Sequence, residues 1–311
     1  MRHAFIMDPL EQVKPWKDTS YHLMLAAQER GHEVYYLSQM DLSLRHTELV
    51  ANASRVTVRD DQAQPFTIES AKTISLRDMD CVWERTDPPF NRRYLYTSLL
   101  LDFLPASVRV INRPQAIRDW NEKLAALKFP QYTPKTLVTS EARELEQFVQ
   151  AHGRITLKPV DGHGGKGVEF CNASENGRGA QFERVTAAGR RWIIAQAYLE
   201  AAKDGDKRIL LLDGEPIGAI LRLHAEGQEL NNLDAGGTAN PTELTKRELE
   251  ICAAMAPELR QRGIVFAGID IIGDLMIEVN VTSPTGIQEA SRFSGQKLNH
   301  RVIEWLENNP A

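Results

Sequence analysis

The sequence has few cysteines and no long apolar run. Only three cysteines occur among 311 residues, Cys81, Cys171 and Cys252, and each lies alone in an apolar segment. This spacing offers neither a disulfide framework nor a zinc-ligand pattern, so we expect three buried thiols. Nowhere do about 18 apolar residues follow one another, and the apolar stretch at 3–7 is too short for a secretory signal. The sequence therefore predicts a cytoplasmic protein that does not span a membrane.

An excess of basic residues is also missing. Lys and Arg total 37 against 42 Asp and Glu, which gives a net charge of -5 with no basic stripe. Because non-specific nucleic-acid binding depends on clustered cations, we expect no nucleic-acid partner, although single Lys or Arg residues can still bind a phosphorylated small molecule. Low-complexity runs and internal repeats are absent as well. The 42% hydrophobic content is that of a globular chain long enough for two or three domains.

The first 120 residues alternate short apolar segments with amphipathic ones. The predicted strands lie at 3–7, 33–37, 80–83 and 108–111, and the predicted helices at 19–30, 94–103 and 116–127. Alternating strands and helices are typical of a parallel sheet with crossover helices. The sequence thus predicts a doubly wound α/β domain at the N-terminus.

Beyond residue 130 short strands follow one another, with turns such as Asp213-Gly214 between them. The predicted strands lie at 134–138, 155–159, 167–171, 192–199, 208–212, 217–223, 265–272 and 276–281. One clear helix interrupts them: Thr245 and Glu248 form a capping box at its start, and Gly263 ends it. This part of the chain is predicted to be α+β with antiparallel sheets.

A glycine-rich loop follows the strand that carries Lys158. It contains Gly162, Gly164, Gly165 and Gly167, so backbone N–H groups could approach a phosphate closely. The loop formally matches G-x-G-x-x-G, but a strand rather than a helix follows it, which argues against a dinucleotide fold. A flap between two strands fits better; a flexible surface turn is the simpler alternative.

Acidic and amide side chains occur on the last predicted hairpin. Glu278 and Asn280 are two residues apart on a strand and therefore share one face, where a divalent cation would offset the cost of burying the carboxylate. Asp270 joins that face only if the loop around Gly273-Asp274 has an odd length or the strand has a bulge. Of these two possibilities, we expect the loop with an odd number of residues. A solvated sheet face is the alternative.

Two arginines lie on another predicted hairpin. Arg208 and Arg222 are suited to bidentate contacts with phosphoryl or carboxylate oxygens, although a surface ion pair is the simpler interpretation of either arginine taken alone.

These segments occur in the order seen in ATP-grasp ligases, together with further motifs. The further motifs are Asn121-Glu122-Lys123, Gln196-Ala197-Tyr198-Leu199, Asp206-Lys207-Arg208 and Asn232-Leu233 before Gly236-Gly237. More narrowly, the sequence resembles the prokaryotic glutathione synthetases over essentially its whole length. The segments that carry this resemblance are Thr86-Asp87-Pro88-Pro89-Phe90, Asn112-Arg113-Pro114-Gln115 and Asn280-Val281-Thr282-Ser283-Pro284-Thr285.

The resemblance implies a fold and an activity. The fold would be a doubly wound pre-ATP-grasp domain at 1–122, a central ATP-grasp lobe with the flap at 123–190, and a catalytic lobe at 191–311, both lobes being α+β. The activity would be the ATP-dependent joining of γ-glutamylcysteine to glycine through an acyl phosphate, with Mg²⁺ or Mn²⁺, in a homotetramer or homodimer.

The resemblance also implies roles for individual residues. Contacts to ATP would come from Lys123, Lys158, Gly162, Gly164, Gly165, Gly167, Gln196, Ala197, Tyr198, Leu199, Asp206 and Lys207. The metal ligands would be Asp270, Glu278 and Asn280, and Arg208 and Arg222 would neutralise charge during catalysis. Substrate contacts would come from Asp87, Pro88, Asn232, Ser283, Pro284 and Thr285.

Two residues depart from the family pattern, and two other functions stay open. His163 stands where the family tends to have Met, which a flap that works through its backbone would tolerate. Asp234 replaces a small apolar residue; it is either a solvent-facing loop residue or a sign of an altered acceptor. The open alternatives are an ATP-grasp ligase with another acceptor and a nucleotide-binding protein without turnover.

Overall fold

The computed structural model describes residues 1–225 and 237–311 of the chain. The described strands are β1 (Arg2–Ile6), β2 (Glu33–Leu37), β3 (Leu42–Arg45), β4 (Glu48–Val58), β5 (Phe66–Ile68), β6 (Lys72–Ser75), β7 (Cys81–Glu84), β8 (Arg109–Ile111), β9 (Thr136–Thr139), β10 (Arg154–Pro159), β11 (Glu169–Asn172), β12 (Ile193–Ala197), β13 (Asp206–Leu212), β14 (Glu215–Leu223), β15 (Thr238–Asn240), β16 (Phe266–Ile272) and β17 (Leu275–Asn280). The described α-helices are α1 (Thr19–Glu29), α2 (Arg92–Leu101), α3 (Pro114–Asp119), α4 (Ala142–His152), α5 (Arg178–Val185), α6 (Lys246–Arg262), α7 (Ile287–Ser294) and α8 (Leu298–Asn308).

The N-terminal sheet is parallel at its centre and covered on both faces. Strand β1 pairs in parallel with β2 and β7, and β7 pairs in parallel with β8. Leu23 of α1 and Val302 of α8 pack in one apolar core with Phe5 and Trp83, whereas Leu101 of α2 packs on the other face. The prediction of a doubly wound α/β domain is confirmed. The contact between α1 and α8 also shows that the C-terminal helix returns to this domain.

An antiparallel extension of that sheet was not predicted. Strand β4 pairs antiparallel with β2, β3, β5 and β6, so the chain from 42 to 75 adds strands beside the parallel core. Most residues of β4 are buried, and its exposed positions are Asn52, Arg55 and Thr57, so part of this antiparallel strand faces solvent.

The prediction of a helix at 116–127 is wrong. Helix α3 ends at Asp119, and only a 3₁₀ turn follows at Ala125–Lys128. The side-chain oxygen of Asn121 accepts hydrogen bonds from the backbone N–H groups of Lys123 and Leu124, at 3.1 and 3.0 Å. Such local bonds compete with helical ones, so this segment leaves the helix and reaches the site.

The C-terminal part contains two antiparallel sheets, as predicted. Their strand orders are β11-β10-β12-β9 and β15-β14-β13-β16-β17. Helix α6 begins with the predicted capping box of Thr245 and Glu248 and ends at Gly263, whose φ of 74° is left-handed. The expectation of one clear helix in this part is wrong, because α4, α5, α7 and α8 also form.

The three cysteines are free and buried, as expected. Among the described residues, no helix is both long and apolar enough to cross a bilayer. The proposed division of the chain at residues 122 and 190 stays a prediction.

Candidate active site

A cavity of about 900 Å³ lies where the carboxyl end of the parallel sheet meets the flap lobe and the five-stranded sheet. Most of the predicted site residues line it: Asp87, Pro88, Lys123, Lys158, Gly162, Gly164, Gly165, Gln196, Ala197, Tyr198, Leu199, Asp206, Arg208, Arg222, Asp270, Glu278, Asn280, Ser283, Pro284 and Thr285. Gly167 and Lys207 are not in the lining. The predicted substrate contact Asn232 and the unusual Asp234 lie outside the described residues. The roles assigned to these residues stay predictions.

A bulge gives the last hairpin its register. The turn at Gly273-Asp274 has two residues, since Ile272 pairs with Leu275, so the expected odd loop is wrong. The register then shifts by one residue, and Asp270 pairs directly with Glu278. Because directly opposed residues share a face, the bulge brings the two carboxylates together, which was the arrangement the metal prediction needed.

Two arginines and two aspartates face each other across neighbouring strands. Asp206 is paired in register with Arg222, and Arg208 with Asp270. Arg208 donates from Nε and Nη2 to the two oxygens of Asp270, at 2.6 and 2.7 Å, and Arg222 donates from Nε to Asp206 at 2.8 Å. The Nη2 of Arg222 also lies 2.9 Å from Oδ2 of Asp270.

Burial alone would raise the pKa of Asp270. The two guanidinium groups outweigh it and hold the pKa well below its ordinary value, so the carboxylate is ionised.

Lysines approach the site from the flap side. Lys123 donates to Glu278 at 2.9 Å and also to the carbonyl oxygen of Gly162, and so joins the flap to the strand that carries Glu278. Lys158 donates to the side-chain oxygen of Gln196 at 2.7 Å. A Cβ at Gly162 would come within 2.6 Å of Cγ of Pro159, so this position in the flap requires glycine.

Burial lowers the pKa of Lys158 to about 8, with the nearby Lys123 acting in the same direction and Glu278 opposing it. Below that pH the ammonium is charged and suited to bind a phosphate; above it the free protein loses the proton.

The affinity for ADP should therefore fall above about pH 8. We expect the dissociation constant to rise by up to about tenfold per pH unit, because Lys158, in its predicted role as a phosphate contact, would keep in the nucleotide-bound form a proton that the free form has lost. Calorimetric titration of ADP between about pH 7 and pH 9 measures this. The variant Lys158→Arg keeps its charge over this range and should give a flat profile. An equal slope in both proteins would exclude Lys158 as the cause.

The predicted ATP contact Lys207 lies on the opposite face of its sheet. Its Nζ is 2.8 Å from a carboxylate oxygen of Glu248 on α6 and also donates to the carbonyl oxygen of Glu243. Successive strand residues point to opposite faces, so the orientation that directs Arg208 to the cavity directs Lys207 away from it.

A buried arginine was missed at the end of the cavity that Ser283 and Pro284 line. Arg85 follows β7 directly and is only 4% exposed. It donates to the hydroxyl of Ser20 and to the carbonyl oxygen of Pro284, both at 3.0 Å, while the hydroxyl of Ser283 donates to Asp87 at 2.7 Å. The available signal was its position, since ligands of parallel sheets bind at the carboxyl ends of the strands.

A second missed residue is Glu122, next to Lys123. One of its carboxylate oxygens accepts from the backbone N–H groups of Val281 and Thr282 and from the Thr282 hydroxyl, at 2.9, 3.0 and 2.8 Å. Burial raises the pKa of this carboxyl, and the nearby Glu278 adds to the shift. Glu122 thus anchors the turn that carries Ser283 and Pro284.

The fold of this chain is that of the ATP-grasp proteins. D-cycloserine synthetase superimposes over 99% of both chains with a TM-score of 0.69 at 17% identity. A RimK domain ATP-grasp protein from Sphaerobacter thermophilus covers 98% of this chain and 99% of its own, with a TM-score of 0.63 at 16% identity.

The sequence narrows this class to one family. The family model for the prokaryotic glutathione synthetase N-terminal domain matches residues 1–118, and the one for the ATP-grasp domain of the same enzyme matches residues 122–295. Glutathione synthetase of Nostoc sp. is 44% identical, over 99% of this chain and 98% of its own length. That of Pseudomonas syringae pv. tomato is 40% identical, over 99% and 97%. The chain belongs to the prokaryotic glutathione synthetase family.

Proposed function

We propose that this chain joins γ-glutamylcysteine to glycine and cleaves ATP to ADP and phosphate. The observation that carries the proposal is that lysines of the flap side, the arginine pair, the acidic hairpin and the turn that carries Ser283 line one cavity. Full-length relatives named glutathione synthetase support the choice of substrates.

The reaction has two balanced steps. The cysteinyl carboxylate attacks the γ-phosphorus of ATP, and the bond to the β-phosphate oxygen breaks to release ADP. The glycine amine then attacks the carbonyl carbon of the acyl phosphate, loses a proton and expels phosphate. No side chain of the protein forms a covalent bond, so catalysis consists of positioning and charge neutralisation.

The nucleotide would occupy the flap side of the cavity. Lys123 and Lys158 would hold phosphates beneath the glycine loop. The segment from Gln196 to Leu199 would line the adenine slot, where Tyr198 is fixed by an edge contact to Phe170 and by the guanidinium of Arg154, 3.8 Å from the centre of its ring.

The acidic hairpin would hold the divalent cation. Asp270, Glu278 and Asn280 line one cavity and offer carboxylate and amide oxygens, the donor set that Mg²⁺ and Mn²⁺ prefer. Within the described residues no group of three or more His, Cys, Asp and Glu forms a metal cluster, and this site has two carboxylates and one amide. A bound ion would supply charge neutralisation at the phosphoryl oxygens.

Guanidinium groups would neutralise the negative charge that develops on the reacting groups. Arg208 and Arg222 would stabilise the transferred phosphoryl group and the tetrahedral oxyanion, since bidentate arginine matches such oxygens. At the other end of the cavity, Arg85 and the turn from Ser283 to Thr285 would bind a substrate carboxylate.

Release of ADP tests the proposal. The purified protein should form ADP with γ-glutamylcysteine, glycine, ATP and Mg²⁺, and mass spectrometry should show glutathione in equal amount. Omitting γ-glutamylcysteine should stop ADP formation, and replacing glycine by other amines should lower ligation strongly. Ligation with another amine but not with glycine would replace this function by that of a ligase with a different acceptor.

The family membership also supports a cytoplasmic homo-oligomer, a dimer or tetramer, with small-molecule substrates as its partners. Light scattering on the purified full chain would give the subunit number.

A further inference from the structure

The oxygens of Asp270 are occupied by the protein's own donors. Arg208 binds both oxygens, Arg222 approaches Oδ2 at 2.9 Å, and the Nδ2 of Asn280 donates to Oδ2 at 3.3 Å. The side chain of Asp270 is only 4% exposed. A carboxylate has about four lone-pair sites, so little acceptor capacity is left for a metal ion.

The positive charges around Asp270 also oppose the binding of a metal ion. Two guanidinium groups lie against one carboxylate, and Glu278, opposite Asp270, is itself paired with Lys123. A divalent cation entering here would stand within a few ångströms of these positive groups in a largely dehydrated site, where like charges repel strongly. The site is therefore neutralised internally before any cation arrives.

We propose that Arg208 and Arg222 mask Asp270 in the nucleotide-free protein, so that a metal ion is admitted only together with the nucleotide. This inference rests on the proposed nucleotide site. Phosphoryl oxygens offer guanidinium groups an alternative bidentate partner and can draw them away from Asp270. Asp206 keeps its own contacts to Arg222, so this arginine can release Asp270 without losing its place on the sheet.

Nucleotide and metal ion must then each increase the affinity of the protein for the other. If nucleotide unmasks Asp270, metal affinity rises in its presence, and nucleotide affinity rises by the same factor in the presence of metal. Removing Arg208 should produce part of that gain without nucleotide.

Binding of Mn²⁺ measured by electron paramagnetic resonance tests the mask without any turnover. Wild-type protein free of nucleotide should bind Mn²⁺ weakly, and the variant Arg208→Met should bind it at least about tenfold more tightly, since a positive charge next to the ligand is gone. The matched control is Lys207→Met, which removes one cation from the same strand but on the face that points to Glu248, and its Mn²⁺ affinity should equal that of the wild type. Circular dichroism melting establishes that each variant is folded.

Equal Mn²⁺ affinity of wild type and Arg208→Met would overturn the mask, as would an equal gain in Lys207→Met. If Arg208→Met does not fold, Arg222→Met gives the same test, because it removes the second guanidinium from Oδ2 of Asp270. Titration of wild-type protein with ADP alone, together with the ligase assay, reports on the nucleotide site separately. A protein that binds ADP and makes glutathione but shows no gain in the variants keeps its function and loses the mask.

Discussion

The substitution Glu278→Gln should lower kcat for ADP formation by about a hundredfold or more. The change keeps the shape of the side chain and removes one negative charge from the hairpin where Glu278 and Asp270 are directly paired. In the proposed role of Glu278 as an anionic metal ligand, its loss would remove several kcal/mol of charge stabilisation in the transition state, and each 1.4 kcal/mol is about a factor of ten. Steady-state kinetics with saturating ATP, γ-glutamylcysteine and glycine measures the effect.

The matched control is Asp274→Asn. Asp274 lies on the same hairpin and undergoes the same change from acid to amide, but it is exposed in the two-residue turn. Its kcat should stay within about twofold of the wild type, because exposed charges contribute little. Near-normal kcat for Glu278→Gln would remove this residue from the site, whereas an equal loss in both variants would indicate a general effect of charge on the hairpin.

Local patterns predicted the central elements of the fold well. The strand at 33–37 was predicted with the bounds that the structure has, and the capping box at Thr245 marked the start of α6. Both signals depend on neighbouring residues alone. The additions at 42–75 were missed because antiparallel strands at a sheet edge carry many polar residues, and their partners lie far away in the sequence.

The residue types of the site were predictable from the sequence, but their spatial arrangement was predictable only in part. Asp270, Glu278 and Asn280 were named from strand periodicity and the family resemblance, but their register depended on a bulge that no residue type signals. For Lys207 the motif was misleading. It suggested a nucleotide contact, but side chains alternate between the faces of a strand, and Lys207 therefore points toward Glu248. The position of Arg85 directly after a strand was a signal, but nothing in the sequence shows that Pro284, 199 residues away, accepts its hydrogen bond.

Asn112 connects the end of the parallel sheet to the two strands of the acidic hairpin. Its side chain is buried, and the residue is only 3% exposed. Its Nδ2 donates to the carbonyl oxygens of Phe266 and Val281, at 2.7 and 2.8 Å. Its Oδ1 accepts from the backbone N–H groups of Val265 and Phe266, at 2.8 and 2.9 Å. One amide thus satisfies four backbone groups that water does not reach.

Asn112→Ala should therefore lower the free energy of unfolding by about 4 kcal/mol or more, because each buried polar group left without a partner costs roughly 1–3 kcal/mol. Urea unfolding followed by fluorescence measures the change, and Asn52→Ala, at an exposed position of β4, should stay within about 0.5 kcal/mol of the wild type. Since Val281 follows Asn280 directly, the same substitution should also weaken Mn²⁺ binding in the presence of ADP, even where the protein is still folded. A variant with wild-type stability would show that water replaces the amide, and that the two sheets are held together without Asn112.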